Sequence, residues 1–213
     1  MKSSCLRLFA ALLLTAGLAA CGGKATFVIN GEFINSVGAV TPLANAGLVL
    51  VNNGNGDTTS VPAGATTFTF GKSIDYGDAY DIEVQTPPNH MNCTPTFNID
   101  SAGHTAAIQV FMACVVNTHN LSGTITGLPT TLTTPNELVL TNGSNATPFT
   151  YDPTVTPGTF TFATLVTEAT TYGVTILTQP TGYTCTVANG TGIVGATDIT
   201  TVAVNCVATP GTP

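Results

Sequence analysis

Six cysteines, three histidines and eleven carboxylates are the side chains through which this 213-residue, tryptophan-free chain could do chemistry. Four of the thiols form two equally spaced pairs, Cys93 with Cys114 and Cys185 with Cys206, each 21 positions apart. Zinc would need short ligand spacing or accompanying histidines, and neither surrounds these pairs. The densest acidic group is Asp75, Asp78, Asp81 and Glu83. Calcium takes six to eight oxygen ligands, so these four are weak calcium candidates. Their spacing is not that of an EF-hand, and a solvated acidic face is the simpler reading. His90, His104 and His119 are far apart and read as separate exposed loop residues. Serine and threonine are abundant, but a nucleophile needs a base held by an orienting group. No histidine, lysine or arginine follows residue 120. Asp152 and Glu168 are formal candidates for carboxylate-only hydrolysis and read as isolated surface acids, so the expectation is no catalytic residue and no cofactor.

The first 21 residues determine compartment. Lys2 and Arg7 precede an apolar run over residues 8–20, the charged and hydrophobic regions of a secretory signal. That run is shorter than the roughly 20 residues needed to span a bilayer. Leu18-Ala19-Ala20-Cys21 resembles the lipobox of bacterial lipoproteins. The resemblance implies cleavage before Cys21 and acylation of its thiol, so that Cys21 ties the chain to the lipid bilayer. Gly22 in place of aspartate resembles the pattern of outer-membrane lipoproteins in Gram-negative bacteria. Beyond Cys21 all eleven carboxylates face only Lys24 and Lys72. Such a surface excludes nucleic acid, whose phosphates are bound chiefly by Lys and Arg.

An internal duplication organises the rest. An offset of 92 carries both cysteines of the first pair onto the second, Gly31 onto Gly123, residues 68–70 onto 160–162, and Tyr80 onto Tyr172. Residues 48–50 meet 138–140 at an offset of 90, which implies a two-residue length change in a nearby loop. The chain divides into a signal peptide (1–20), the lipidated cysteine with a very short linker (21–24), one repeat over 25–115, a second over 116–207, and a disordered tail (208–213). In the second repeat, β-compatible runs fall at 121–126, 137–142, 148–151, 159–162, 172–178, 184–188 and 200–206. Tyr172, Val174, Ile176 and Thr178 alternate onto one face, as do Tyr80, Ile82, Val84 and Thr86. About seven strands in about 90 residues predict an all-β chain of two tandem Ig-like or fibronectin-like β-sandwiches.

The cysteine spacing suits a local hairpin. Facing Cys93 to Cys114 opposes Phe97 to Val110 and Ile99 to Ile108, all inward, with the turn near residues 100–104. Facing Cys185 to Cys206 opposes Val187 to Val204. In an oxidising compartment these pairs become disulfides Cys93–Cys114 and Cys185–Cys206. Tyr80 and Tyr172 are expected in the cores. Tyr76, Tyr151 and Tyr183 are candidate loop contacts to a glycan or protein.

Leu48-Val49-Leu50-Val51-Asn52-Asn53-Gly54, the Thr-Phe-Thr-Phe runs ending at Phe70 and Phe162, and residues 178–187 resemble phrases of bacterial exported lipoproteins. That resemblance implies architecture and carries no catalytic pattern. The leading expectation is an outer-membrane, lipid-anchored envelope lipoprotein with a non-catalytic structural or binding role, facing the periplasm or the cell surface. An envelope protein or glycan is its expected partner. The alternatives are an anchored hydrolase, requiring convergent acids in a cleft, and a passive spacer, requiring no concave pocket and no exposed apolar patch.

Overall fold

The computed structural model describes residues 24–129, 138–143, 145–152, 154–155 and 157–211. The leader and Cys21 lie outside them. The described chain is all β. The first repeat runs β1 (Thr26–Phe27), β2 (Ile29–Ile34), β3 (Leu48–Asn52), β4 (Asp57–Val61), β5 (Thr67–Thr69), β6 (Ile74–Asp75), β7 (Ala79–Thr86), β8 (Met91–Thr96), β9 (Ile99–Ser101) and β10 (Ile108–Val116). The second runs β11 (Thr118–His119), β12 (Leu121–Thr126), β13 (Val139–Asn142), β14 (Asn145–Thr150), β15 (Thr159–Thr161), β16 (Val166–Thr167), β17 (Thr171–Thr178), β18 (Tyr183–Ala188), β19 (Thr191–Ile193) and β20 (Ile199–Ala208).

Each repeat builds two four-stranded sheets in the same order, β5-β2-β10-β8 with β4-β3-β7-β9, and β15-β12-β20-β18 with β14-β13-β17-β19. The long last strand pairs parallel with an early one, β10 with β2 and β20 with β12. Their neighbours run antiparallel, as β5 does beside β2 and β18 beside β20. These are tandem β-sandwiches. Period-two burial drives the layering: in β2, Ile29, Gly31 and Phe33 are buried while Asn30, Glu32 and Ile34 are only partly so. The second core gathers Leu121, Leu140, Phe160, Phe162, Val174, Val202 and Val204 around the Cys185–Cys206 pair. The length change deduced at residues 48–50 is visible in register. Val49 pairs Thr86 and Leu50 pairs Val84 across a bulge, and Val139 with Thr178 and Leu140 with Ile176 reproduce it.

Glycine at 31 and 123 is explained by close approach. A Cβ on Gly31 would overlap the Phe68 ring, and one on Gly123 would overlap the Val202 carbonyl and the Phe160 ring. Each phenylalanine lies on the cross-strand neighbour of its glycine, Gly31 with Phe68 and Gly123 with Phe160.

Disulfides join Cys93 to Cys114 and Cys185 to Cys206. In the second repeat Cys185 opposes Cys206 and Val187 opposes Val204, as expected. The first hairpin departs from expectation. Phe97 takes a left-handed backbone (φ 54), and β9 leaves to pair with β7 rather than β10. Phe97 and Ile99 therefore point outward, 75% and 67% exposed. The second repeat switches sheets at the same place, with Asn189 at φ 54 and β19 pairing β17. At the far end β20 continues to Ala208, and Thr209 N–H donates to Gly182 O, so order extends past residue 207.

By its own contacts the chain falls into two compact units. One comprises the described residues up to 43 with 49–86 and 95–113, and the other 44–48, 87–94 and 114 onward.

Candidate functional site

In the second unit, a polar cluster grows around Glu168. The Glu168 backbone N–H donates to Asn117 O (3.0 Å), and Asn117 N–H to His90 O (2.9 Å). These bonds set the carboxylate between three side chains. His90 Nδ1 lies 2.9 Å from Oε1, Asn117 Nδ2 donates to Oε2 at 2.8 Å, and His119 Nε2 lies 3.8 Å from Oε2. The Glu168 side chain is only 9% exposed. On its other side His119 Nδ1 lies 3.8 Å from Asp198 Oδ1, and Asp198 accepts from the Asn120 backbone (2.8 Å) and side-chain amide (3.0 Å). The hydrogen bonds from His90 and Asn117 hold the Glu168 carboxyl below the usual carboxylate range. The two Asn120 bonds do the same for Asp198.

This corrects two sequence expectations. His90 and His119 are not separate, because they share Glu168; His90 is an exposed turn residue as expected, its side chain 47% exposed, whereas His119 sits in β11 with its side chain only 15% exposed. Glu168 is not an isolated surface acid. Its partners lie 78 and 51 residues away, so no local motif announces them. The cluster is nonetheless poorly arranged for catalysis. A base must be held and oriented by hydrogen bonds, and His119 Nε2 has no hydrogen-bond partner among the described residues. Its second-repeat members replace, at an offset of 92, Ala25, Phe27, Val28, Tyr76 and Ala106 of the first repeat, and His90 of the first repeat answers to Gly182, so the duplication does not preserve it.

The other expected groups are dispersed. Asp75 pairs with Lys24 at 3.7 Å, and its backbone N–H donates to Asp78. Asp81 accepts from Asn53 Nδ2 at 3.2 Å, and Glu83 is exposed on β7. Among the described residues no three His, Cys, Asp or Glu side chains are grouped to hold a metal. His104 Nδ1 lies 2.6 Å from Asp100 Oδ1. Asp152 accepts from Thr154, and those bonds keep its carboxyl low. Tyr151 corrects another expectation. It is buried in the second core, and its hydroxyl accepts from Gly158 N–H at 3.1 Å. Tyr76 is 65% exposed, as a loop contact requires. Tyr80 is buried.

In the first unit the sheet switch at Phe97 opens a groove of about 290 Å³ lined by Tyr80, Phe97, Ile99, Asp100, Thr105, Ala107 and Gln109. Burial, and then the Asp100 charge, push the Tyr80 phenol up, so it stays a neutral hydrogen-bonding group. The Ser101 N–H and His104 hold the Asp100 carboxyl low and charged.

No sequence expectation placed a groove at this corner. The one signal that could have found it is the exchange at an offset of 92 of Asn189, a residue suited to left-handed backbone, for Phe97.

No protein-family model and no curated protein sequence matches the chain. Among solved structures, the Bacillus anthracis TIE protein superposes with a TM-score of 0.52 at 12% identity, over 85% of this chain and 34% of that one. The likeness is one of fold. This chain thus spans about a third of the length of that protein. The C-terminal fragment of pilus adhesin SpaC from Lactobacillus rhamnosus GG is similar at a TM-score of 0.43 and 10% identity, over 88% of this chain and all of that one. The Streptococcal ancillary pilin is similar at 0.33 and 14%, over 87% and 63%. Neither of these two carries weight at such scores.

Proposed function

We propose that the chain is a lipid-anchored protein of the bacterial cell envelope, with a non-catalytic binding role carried by two disulfide-stapled β-sandwiches, residues 25–115 and 116–207. The observation that carries this reading is the pair of matched disulfides, Cys93–Cys114 and Cys185–Cys206. Bonds of this kind persist outside the reducing cytosol, which fits the secretory leader. The shortage of cations, Lys24 and Lys72 beyond the leader, turns the surface away from nucleic acid. Acylation of Cys21 supplies the membrane attachment that an acidic surface does not. The outer membrane, facing the periplasm or the cell surface, is its proposed place. The 290 Å³ groove with exposed Phe97 and Ile99 favours binding over passive spacing. Hydrolysis has less support, since Asp100 is the one carboxylate among the described residues that line that groove.

Intact-mass analysis of the exported protein tests the anchor. The expected product starts at Cys21, carries acyl chains and has two intrachain bridges, and Cys21→Ser abolishes the acyl mass. A mature form with an unmodified Cys21 overturns the anchor. Proximity labelling in intact cells tests the binding role, and labelling equal to that of an inert anchored control counts against it.

A further inference from the structure

From the groove of the first repeat we infer a β-strand-addition site for an extended polypeptide segment that presents an apolar side chain next to a Lys or Arg. The inference rests on the binding role proposed above and gives that role a site.

Three observations converge. The first concerns the edge of β10. Phe111 O accepts from Thr96 Oγ1 of β8 at 3.4 Å, and strand alternation points Gln109 O to the same side. By then β8 has ended and Phe97 has turned the chain away. In the second repeat the equivalent carbonyl, Thr201 O, accepts from Asn189 Nδ2 at 3.2 Å. Phe97 holds the same backbone corner with no side-chain donor, so the first repeat lacks the cap that its duplicate carries. A strand edge of this kind offers main-chain hydrogen bonds to an added segment.

The second is the groove beside that edge. Phe97 and Ile99 stand exposed over it, and Phe97 packs edge-on to Phe111 at 6.1 Å. Their counterparts at an offset of 92 are Asn189 and Thr191, so the apolar lining belongs to the first repeat alone. Its volume is about 290 Å³. It is of the size for one or two side chains of a strand whose alternate residues face the wall. Phe97 is a bulky residue held in the left-handed region, and backbone outliers of this kind cluster at functional sites.

The third is charge. Asp100 lines the groove and stays ionised. With eleven carboxylates and few cations in the chain, the complementary segment is basic. His104 Nδ1, 2.6 Å from Asp100 Oδ1, is the neighbouring group it would meet.

The test titrates the full isotope-labelled chain in mild detergent with an end-blocked hexapeptide of alternating Lys and Val, followed by amide NMR. Saturable shifts at Ile99, Thr105 and Gln109 are expected. Phe97→Asn restores the residue of the second repeat and its cap, so it folds, and it should weaken binding by about tenfold, as a hot-spot substitution does. N-methylation of alternate peptide amides should weaken binding as much, and Glu in place of Lys should weaken it further. Shifts that do not saturate, or that persist unchanged in Phe97→Asn or with the N-methylated peptide, overturn the proposal. So does a neutral oligosaccharide, β-1,4-linked N-acetylglucosamine tetramer, moving these amides where the peptide does not. Failure of this titration leaves acylation and cellular proximity labelling to be read on their own. Failure of those leaves a saturable peptide site intact.

Discussion

Phe97 and Asn189 occupy the same corner of the two repeats at the same φ of 54, and the exchange sets competing terms against each other. Bulky residues pay about 1–2 kcal/mol for left-handed backbone, a cost asparagine largely escapes. Asparagine adds a capping bond of about 0.5–1.5 kcal/mol. Phenylalanine gains its edge-on contact with Phe111, about 0.5–1.5 kcal/mol for such a pair. The first two terms outweigh the third by about 1.5 kcal/mol, so Phe97→Asn should raise the melting temperature by about 3–6 °C. A lower melting temperature would mean that the Phe97–Phe111 contact dominates. Two other positive-φ positions carry the same signature: at the offset of 92, His90 (φ 58) corresponds to Gly182 (φ 80), and Ala169 (φ 63) to Gly77 (φ 87). His90 sets its strain against its bond to Glu168. The lowered Glu168 carboxyl fixes the direction of the pH response. A carboxylate with a native pKa below its unfolded value contributes stability above the usual carboxylate range, and that contribution disappears as pH falls through the lower native value. Thermal melts between pH 7 and 2.5 should show Glu168→Gln least stable relative to the parent at neutral pH. The gap should close as the parent protonates. A gap constant across that range would show that Glu168 acts by shape alone.

Strands were readable where apolar and polar side chains alternate along the sequence. The second-repeat run read at 121–126 is β12 to the residue, and 172–178 is β17 less one residue. Alternation failed at Phe97, because apolar residues at 97 and 99 continue the period of β8 while the backbone turns out of the sheet. Only the Asn189-Gly190 pair of the duplicate betrays that corner in sequence. The two-residue ladders β1–β6 and β11–β16 were too short to carry a period, and His119 lies in one of them. Its burial, and with it the Glu168 cluster, was therefore illegible. Gly31 and Gly123 belong to this scale too, since each is a gap in a strand filled by a phenylalanine of the neighbouring one. Gly123→Ala forces a Cβ against the fixed Val202 carbonyl as well as the Phe160 ring. For Gly31→Ala the three nearest atoms all belong to the Phe68 ring, a side chain that can shift where a strand carbonyl cannot. Overpacking of this kind costs about 1–3 kcal/mol, so Gly123→Ala should sit near the upper end and Gly31→Ala below it. Denaturant melts rank them, and equal losses would show that ring displacement sets both costs.

Duplication gives the molecule two cores of about 90 residues each, a size at which burial alone leaves a modest margin. The bridges stand where that margin is needed, joining the penultimate long strand of each repeat to its last. Each closes a loop with a sequence separation of 21, for which chain entropy contributes about 3 kcal/mol. Equal loop length predicts nearly equal contributions, yet the surroundings differ. Around Cys206 the hairpin is registered for six consecutive pairs from Tyr183–Ala208 to Ala188–Ala203. Asn189 then caps the next carbonyl, Thr201 O. Around Cys114 the hairpin ends at Phe97 without that cap. With the staple removed, the second hairpin retains more of its own support than the first. Cys93→Ser with Cys114→Ser should therefore increase amide exchange along β10 more than Cys185→Ser with Cys206→Ser increases it along β20, both read by mass spectrometry of the full chain. Equal acceleration would assign the stability of both hairpins to loop closure and leave the Asn189 cap without energetic weight. Greater acceleration in β20 would reverse the order argued from the caps.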